Sequence, residues 1–216
     1  MKKTVSLIIA IAIVLCAAAL PADAGQIGTF YTAHTVNQNG DILLAVSARQ
    51  NPGIAALRMR LSYANAELTG VIDGGALEGF GASQQLSANP FTVQWVNSAS
   101  IDLTDGSYIV LFRFRPSDGK TADDFEYSFS CGQNDILNSR LENVEFSWER
   151  GRLLRYDANN DSRTDTADAL YILKTSVGII KENGIITEIC DSNDDGRIAT
   201  DDALYILKLA VGIVRE

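Results

Sequence analysis

Apolar and polar residues alternate in short runs through the first two thirds of the chain. Leu57, Met59, Leu61 and Tyr63 are separated by Arg58, Arg60 and Ser62. The same period of two recurs at Phe91, Val93 and Trp95, then at Tyr108, Val110, Phe112 and Phe114. It returns at Phe125, Tyr127, Phe129 and Cys131, and again at Val144, Phe146 and Trp148. Such alternation predicts strands with one buried face and one wet face. Asp41–Arg49 is richer in apolar residues and ends before the turn Asn51-Pro52-Gly53. Asp73-Gly74-Gly75, Asp105-Gly106 and Asp118-Gly119 punctuate the runs. Many short alternating strands without a long helical pattern predict an all-β sandwich over residues 25–149. Trp95 and Trp148 share faces with Phe91, Val93, Val144 and Phe146, so both are expected in its core.

Beyond Gly151 the pattern changes. Asp157-Ala158-Asn159-Asn160-Asp161-Ser162-Arg163-Thr164-Asp165-Thr166-Ala167-Asp168 is matched 34 positions on by Asp191-Ser192-Asn193-Asp194-Asp195-Gly196-Arg197-Ile198-Ala199-Thr200-Asp201-Asp202. Ala-Leu-Tyr-Ile-Leu-Lys follows each stretch, at Ala169–Lys174 and Ala203–Lys208, and then Val-Gly-Ile at Val177–Ile179 and Val211–Ile213. This is an internal duplication, with repeats over 157–179 and 191–213.

The spacing carries chemistry. Oxygen side chains at loop positions 1, 3, 5 and 12 converge on one hard cation, position 7 adds a main-chain carbonyl, and position 9 acts directly or through water. Loop one offers Asp157, Asn159, Asp161, the Arg163 carbonyl, Asp165 and Asp168; loop two offers Asp191, Asn193, Asp195, the Arg197 carbonyl and Asp202. Neither set contains Cys or His, which favours two Ca2+ ions over zinc or copper. The plainer alternative is a pair of solvated acidic turns capping two helices. The loops are not equivalent: Gly196 suits the left-handed backbone of position 6, whereas Ser162 there costs on the order of 1 kcal/mol. The segments ahead of the loops, Leu153–Tyr156 and Ile185–Cys190, are too short or too β-branched for a full entering helix, so each unit is expected to be a loop plus its exiting helix.

On these motifs residues 151–216 resemble a dockerin, the calcium-dependent docking module of cellulosomes. The resemblance implies a small all-α module whose two helices pack antiparallel. Leu170, Leu173 and Val177, and Leu204, Leu207 and Val211, supply the helical spacing. It also implies a face toward a scaffold cohesin built from Thr166, Ala167, Leu173 and Lys174, and in the second copy from Thr200, Asp201, Leu207 and Lys208. The duplication would permit two binding orientations, and Ala167 against Asp201 would bias one. Leu173 and Leu207 could equally be core.

Composition narrows the classes. The chain has 216 residues, 46% of them hydrophobic, and a formal net charge of −9, which lacks the basic footprint of a nucleic-acid binder. Residues 151–216 hold twelve acidic and eight basic side chains, a net of −4, so folding of that module is expected to depend on metal. Met1-Lys2-Lys3, the apolar run to Leu20 and Ala22-Asp23-Ala24 read as an export signal over 1–24, which predicts a secreted, extracellular protein with no membrane attachment after cleavage. Cys131 and Cys190 remain in the mature chain and either pair or stay as thiols; they are no disulfide framework.

Within the strand region, Asn51–Tyr63, Ala66–Val71, Pro90–Trp95, Gly106–Phe114 and Asn143–Phe146 resemble strands of a cohesin, a jelly-roll sandwich that binds dockerins. Ala56, Arg58 and Arg60 lie opposite the core face and would map onto its docking strand, although that outer row could be merely solvated. No carboxylate pair is brought together as a glycosidase requires, and His34, the one histidine, has no neighbouring nucleophile. The reading is a non-catalytic adaptor: the dockerin docks on a scaffold, and the cohesin-like part receives the dockerin of an enzyme. The alternative is a carbohydrate-binding module displayed by a dockerin. Arg58 and Arg60 against Lys174 and Lys208 are like charges, which disfavour head-to-tail polymerisation.

Overall fold

The computed structural model describes residues 27–215; the expected export signal lies outside the described residues. Ten strands come first: β1 (Gly28–Val36), β2 (Ile42–Arg49), β3 (Ile54–Ala64), β4 (Ala66–Asp73), β5 (Gly81–Ala82), β6 (Phe91–Ile101), β7 (Ser107–Pro116), β8 (Glu126–Ser130), β9 (Ile136–Leu137) and β10 (Phe146–Arg150). Three helices follow: α1 (Thr166–Ser176), α2 (Gly184–Cys190) and α3 (Thr200–Ala210).

One sheet runs β10-β1-β2-β7-β4, and the second runs β5-β6-β3-β8 with β9 also on β3. All pairings are antiparallel except β1 with β10. Phe30, Leu44, Phe112 and Phe114 from the first sheet meet Leu57, Met59, Phe91 and Trp95 from the second in the core between them. This is the sandwich the alternation predicts. Trp95 is fully buried; Trp148 is half-buried at the edge strand β10, its ring stacked on Phe129 at 5.1 Å.

The first sheet is covered on its other face as well. Leu43 and Ala45 of β2 and Tyr108 and Leu111 of β7 turn outward and are buried against Leu153, Tyr156, Ile172, Ile185, Ile186, Ile189 and Ile206. Hence Ile42 to Ala48 are all buried, as an unbroken apolar run in a doubly covered strand should be. The sequence puts Tyr108 on the face of Val110, Phe112 and Phe114, but the structure puts it on the opposite one. The register of β2 on β7 shifts between Val46 and Ser47, so an extra residue of β7 intervenes and reverses the alternation.

The α2 helix is a second departure. The segment before loop two is helical despite its β-branched residues. Asn183 caps it by accepting the amide of Ile186 at 2.9 Å, and Ile185, Ile186, Ile189 and Cys190 are all buried. Tertiary burial outweighs a propensity penalty of a few tenths of a kcal/mol per β-branched residue. The second unit is therefore helix-loop-helix, whereas Leu153–Tyr156 ahead of loop one is not helical.

Candidate functional site

The two acidic loops fold alike. In loop one the buried Asp157 carboxylate accepts the amides of Asp161 (3.0 Å) and Ser162 (2.8 Å). In loop two Asp191 accepts the amides of Asn193 (3.2 Å) and Gly196 (2.7 Å). Position 3 holds position 5 in both: Asn159 Oδ1 accepts from Asp161 N, and Asn193 Oδ1 from Asp195 N, each at 3.0 Å. Position 5 in turn accepts the amide of position 7, Arg163 or Arg197, at 3.0 Å. Position 12 closes the ring. Asp168 accepts the amides of Asn159 (3.2 Å) and Asp165 (2.8 Å); Asp202 accepts those of Ser192 and Ala199, both at 2.8 Å.

These bonds account for the backbone shape. Positions 4 and 6 are left-handed in both copies: Asn160 (φ 55°) and Ser162 (φ 70°), Asp194 (φ 57°) and Gly196 (φ 81°). Ser162 takes the strained conformation that Gly196 reaches freely. At position 9 Asp165 caps α1 by accepting the amide of Ala167 at 2.7 Å, which Ala199 cannot do for α3. The Val-Gly-Ile words end the helices: Gly178 (φ 77°) and Gly212 (φ 76°) turn the chain, and Ile179 and Ile213 donate back to Lys174 and Lys208 at 2.8 Å.

Asp157, Asp168 and Asp202 are fully buried and Asp191 nearly so, yet among the described residues none of the four forms a salt bridge with Lys or Arg. Burial pushes the Asp157 carboxyl up to about 6, with the neighbouring Asp168 and Asp161 charges adding to the rise over the opposing amides. Burial likewise raises Asp168. A carboxylate withdrawn from water without a counter-charge is costly. Among the described residues no three Asp, Glu, His or Cys side chains stand together as a preformed metal cluster. Each donor set is mixed instead: two buried carboxylates at positions 1 and 12, a more exposed amide and carboxylate at 3 and 5, and a main-chain carbonyl at 7. That oxygen-only chemistry fits a hard cation such as Ca2+. Cys190, beside loop two, offers no thiolate: burial, then the charges of Asp168, Asp157 and Asp202, hold its thiol well above its usual range. Among the described residues Cys131 and Cys190 are both free thiols.

The proposed partner residues divide by face. Thr166, Ala167, Thr200 and Asp201 are exposed at the starts of α1 and α3, and Asp201 Oδ2 accepts from Asn193 Nδ2 at 2.8 Å. Leu173 and Leu207 are 42% and 40% exposed, and Leu170, Val177, Leu204 and Val211 are exposed too. They do not form the seam between the helices, which the sequence reading allowed. The buried apolar positions of α1 and α3 are Ala169 and Ile172, and Ala203 and Ile206. Thr166, Ala169, Leu170 and Leu173 line one side of an open groove of about 340 Å³, and their counterparts 34 positions on, Thr200, Ala203, Leu204 and Leu207, line the other. The repeat thus yields a two-sided, nearly symmetric apolar groove. Lys174 is exposed and Lys208 partly so.

The basic row on β3 is not free. Arg60 donates to Asp135 at 2.5 Å, and Arg58 lies 3.6 Å from the same carboxylate. Burial would raise the Asp135 carboxyl, but hydrogen bonds from Arg60 and Gly132 and the charge of both guanidiniums hold it below its usual range. One buried charge therefore offsets part of the row, which weakens the like-charge argument against self-association. Ala56 stands partly exposed beside them. Sequence reasoning missed Asp135, since nothing local ties it to Arg60, 75 positions away.

No family model matches the chain, and no curated protein matches it either. Among solved structures it is similar to a non-cellulosomal cohesin from the hyperthermophilic archaeon Archaeoglobus fulgidus, at 18% identity and a TM-score of 0.44, over 58% of this chain and 88% of that one. It is also similar to a chain of a crystallised complex of CaCohA2 with a variant of CaDoc0917, at 10% identity and a TM-score of 0.44, over 57% and 98% of the two chains.

Proposed function

We propose that the protein is a non-catalytic, secreted adaptor of a polysaccharide-degrading complex. The acidic loops would each hold one Ca2+ ion, each loop starts a helix, and the groove between α1 and α3 is the face that docks on a cohesin of a scaffold protein. The cohesin-like sandwich receives the dockerin of an enzyme or other subunit. The observation that carries the reading is the duplicated loop with buried carboxylates lacking a cationic partner, feeding helices whose leucines face solvent. Exposed apolar surface of that kind marks an interaction site.

The residues suit Ca2+ as donors: Asp157, Asn159, Asp161, Arg163 and Asp168 for one ion, with Asp165 of the expected set engaged instead in capping α1, and Asp191, Asn193, Asp195, Arg197 and Asp202 for the other. The ion would supply the positive charge that lets these carboxylates stay ionised while buried. The protein's own part is to orient the donors through the amide bonds described above and to hold α1 and α3 side by side. The carbohydrate-binding alternative gains little support from Trp95, which is buried, or from Trp148, whose ring is stacked on Phe129.

The test is capture of immobilised cohesins and, separately, dockerins by the full chain with calcium and with chelator, beside binding to insoluble polysaccharide. Calcium-dependent capture by a cohesin supports docking, and capture by a dockerin supports the receiving role. Retention by polysaccharide alone would replace this reading with the carbohydrate-binding one.

A further inference from the structure

The donors at positions 1, 3, 5 and 12 are the same residue types in both loops, so donor chemistry does not rank them. Asp165 at position 9 is engaged in capping α1. The local backbone favours loop two, where Gly196 stands in place of Ser162. The surroundings point the other way.

Loop one lies against the turn between β6 and β7. Asn160 Nδ2 donates to the Gly106 carbonyl at 3.0 Å. A Cβ at Gly106 would sit 3.4 and 3.5 Å from the main-chain oxygens of Asn160 and Asn159, so the two backbones are in contact. The buried Tyr108 hydroxyl donates to the Asp157 carbonyl at 3.5 Å. Loop two has Asp194 at the position of Asn160. A carboxylate cannot donate to a carbonyl; with the Gln38 amide turned to satisfy its neighbours, Asp194 instead accepts from it at 3.0 Å and Arg155 donates to its oxygen at 3.2 Å, a contact to the exposed β1–β2 turn rather than to buried backbone.

We infer that the sandwich clamps loop one through the Asn160–Gly106 and Tyr108–Asp157 contacts, and that loop one therefore holds its Ca2+ more tightly than loop two. The inference rests on reading both loops as calcium sites. A loop already fixed by its neighbours loses less freedom on taking an ion, and hydrogen bonds just behind the ligands typically change metal affinity by about 10–100-fold. Asn160 and Tyr108 are positioning residues here, since neither side chain is a ligand. Loop one becomes a structural site tied to the sandwich, and loop two the site that responds to ambient calcium.

The test is calorimetric titration of the metal-stripped full chain with Ca2+. Two steps about tenfold or more apart are expected. Asn160→Gly is compatible with the left-handed backbone and removes the donor with the rest of the side chain, so it should weaken the tight step about tenfold and leave the weak step alone. Asp194→Gly, the matched change in loop two, should leave the tight step unchanged. Tyr108→Phe, which removes one hydroxyl, should also weaken the tight step. A tight step untouched by Asn160→Gly, or weakened as much by Asp194→Gly, overturns the clamp. Wild-type protein that takes up no calcium overturns the parent reading instead, an outcome distinct from uptake without the clamp.

Discussion

Leu111 gives the sharpest test of how the molecule is built. It lies on β7 with its side chain directed away from the sandwich core, and it is fully buried because the helical region covers it. Truncation to Ala removes its contacts with that region and leaves a cavity between rigid elements. Fully buried Leu→Ala changes cost about 3–4 kcal/mol in such settings. For a chain of this size each kcal/mol lowers the melting temperature by about 2–4 °C, so a fall of about 6–16 °C is expected. The assay is thermal unfolding in saturating calcium, followed by near-UV circular dichroism, which reports Trp95 in the sandwich core, and by the far-UV helix signal. The two should move together, because sandwich and helices share apolar surface and should unfold as one unit. If helices and sandwich were separate bodies, Leu111 would be a surface residue of the sandwich and its loss would cost under about 0.5 kcal/mol. An unmoved near-UV transition beside a lowered helix transition would refute the shared core.

Three further outcomes follow from the geometry. Leu173→Asp with Leu207→Asp should abolish capture by cohesins while shifting stability by only about 0.5 kcal/mol, since both side chains face solvent; pull-down and thermal melting read the two effects separately. Ser162→Gly should stabilise the chain by about 0.5–1 kcal/mol in denaturant melts, because φ is 70° at that position; a loss of stability would count against the left-handed turn. Asp135 is held below its usual range in the folded chain. Its contribution is therefore full above its unfolded value of about 3.9 and is lost as pH falls through the lower folded value. The stability gap between wild type and Asp135→Asn, read from urea midpoints, should be wide at neutral pH and close in acid.

The sequence made much of this architecture legible, but unevenly. Period-two runs located the strands because each has one wet face. The duplicated words located the two acidic turns and the helices they start, because the repeat holds one spacing of 34 residues. What stayed hidden depends on neighbours remote in the chain. The helix at Gly184–Cys190 forms because four of its seven residues are buried, a fact its β-branched composition masks. The stripe of Leu170, Leu173 and Val177 has helical spacing, and spacing alone cannot say whether it faces a partner helix or water. Here Ala169 and Ile172 take the inner side. Arg58 and Arg60 read as a free row until Asp135 arrives from 75 residues away.

The sequence also marks the covered face of the first sheet. Ile42-Leu43-Leu44-Ala45-Val46-Ser47-Ala48 does not alternate, and a strand exposed on one face has no reason to be apolar throughout. Its outward residues are where the helical region sits. That seat decides what the rest can do. With α2 joined to β7 by the Arg113–Glu188 ion pair, and loop one pressed on the β6–β7 turn, the helical region has one side fixed to the sandwich. The groove between α1 and α3 remains open to solvent on another side. In the adaptor role proposed above, the shared core would hold the groove in a constant orientation to the sandwich without a linker. The second sheet, β5-β6-β3-β8, bears no part of that seat.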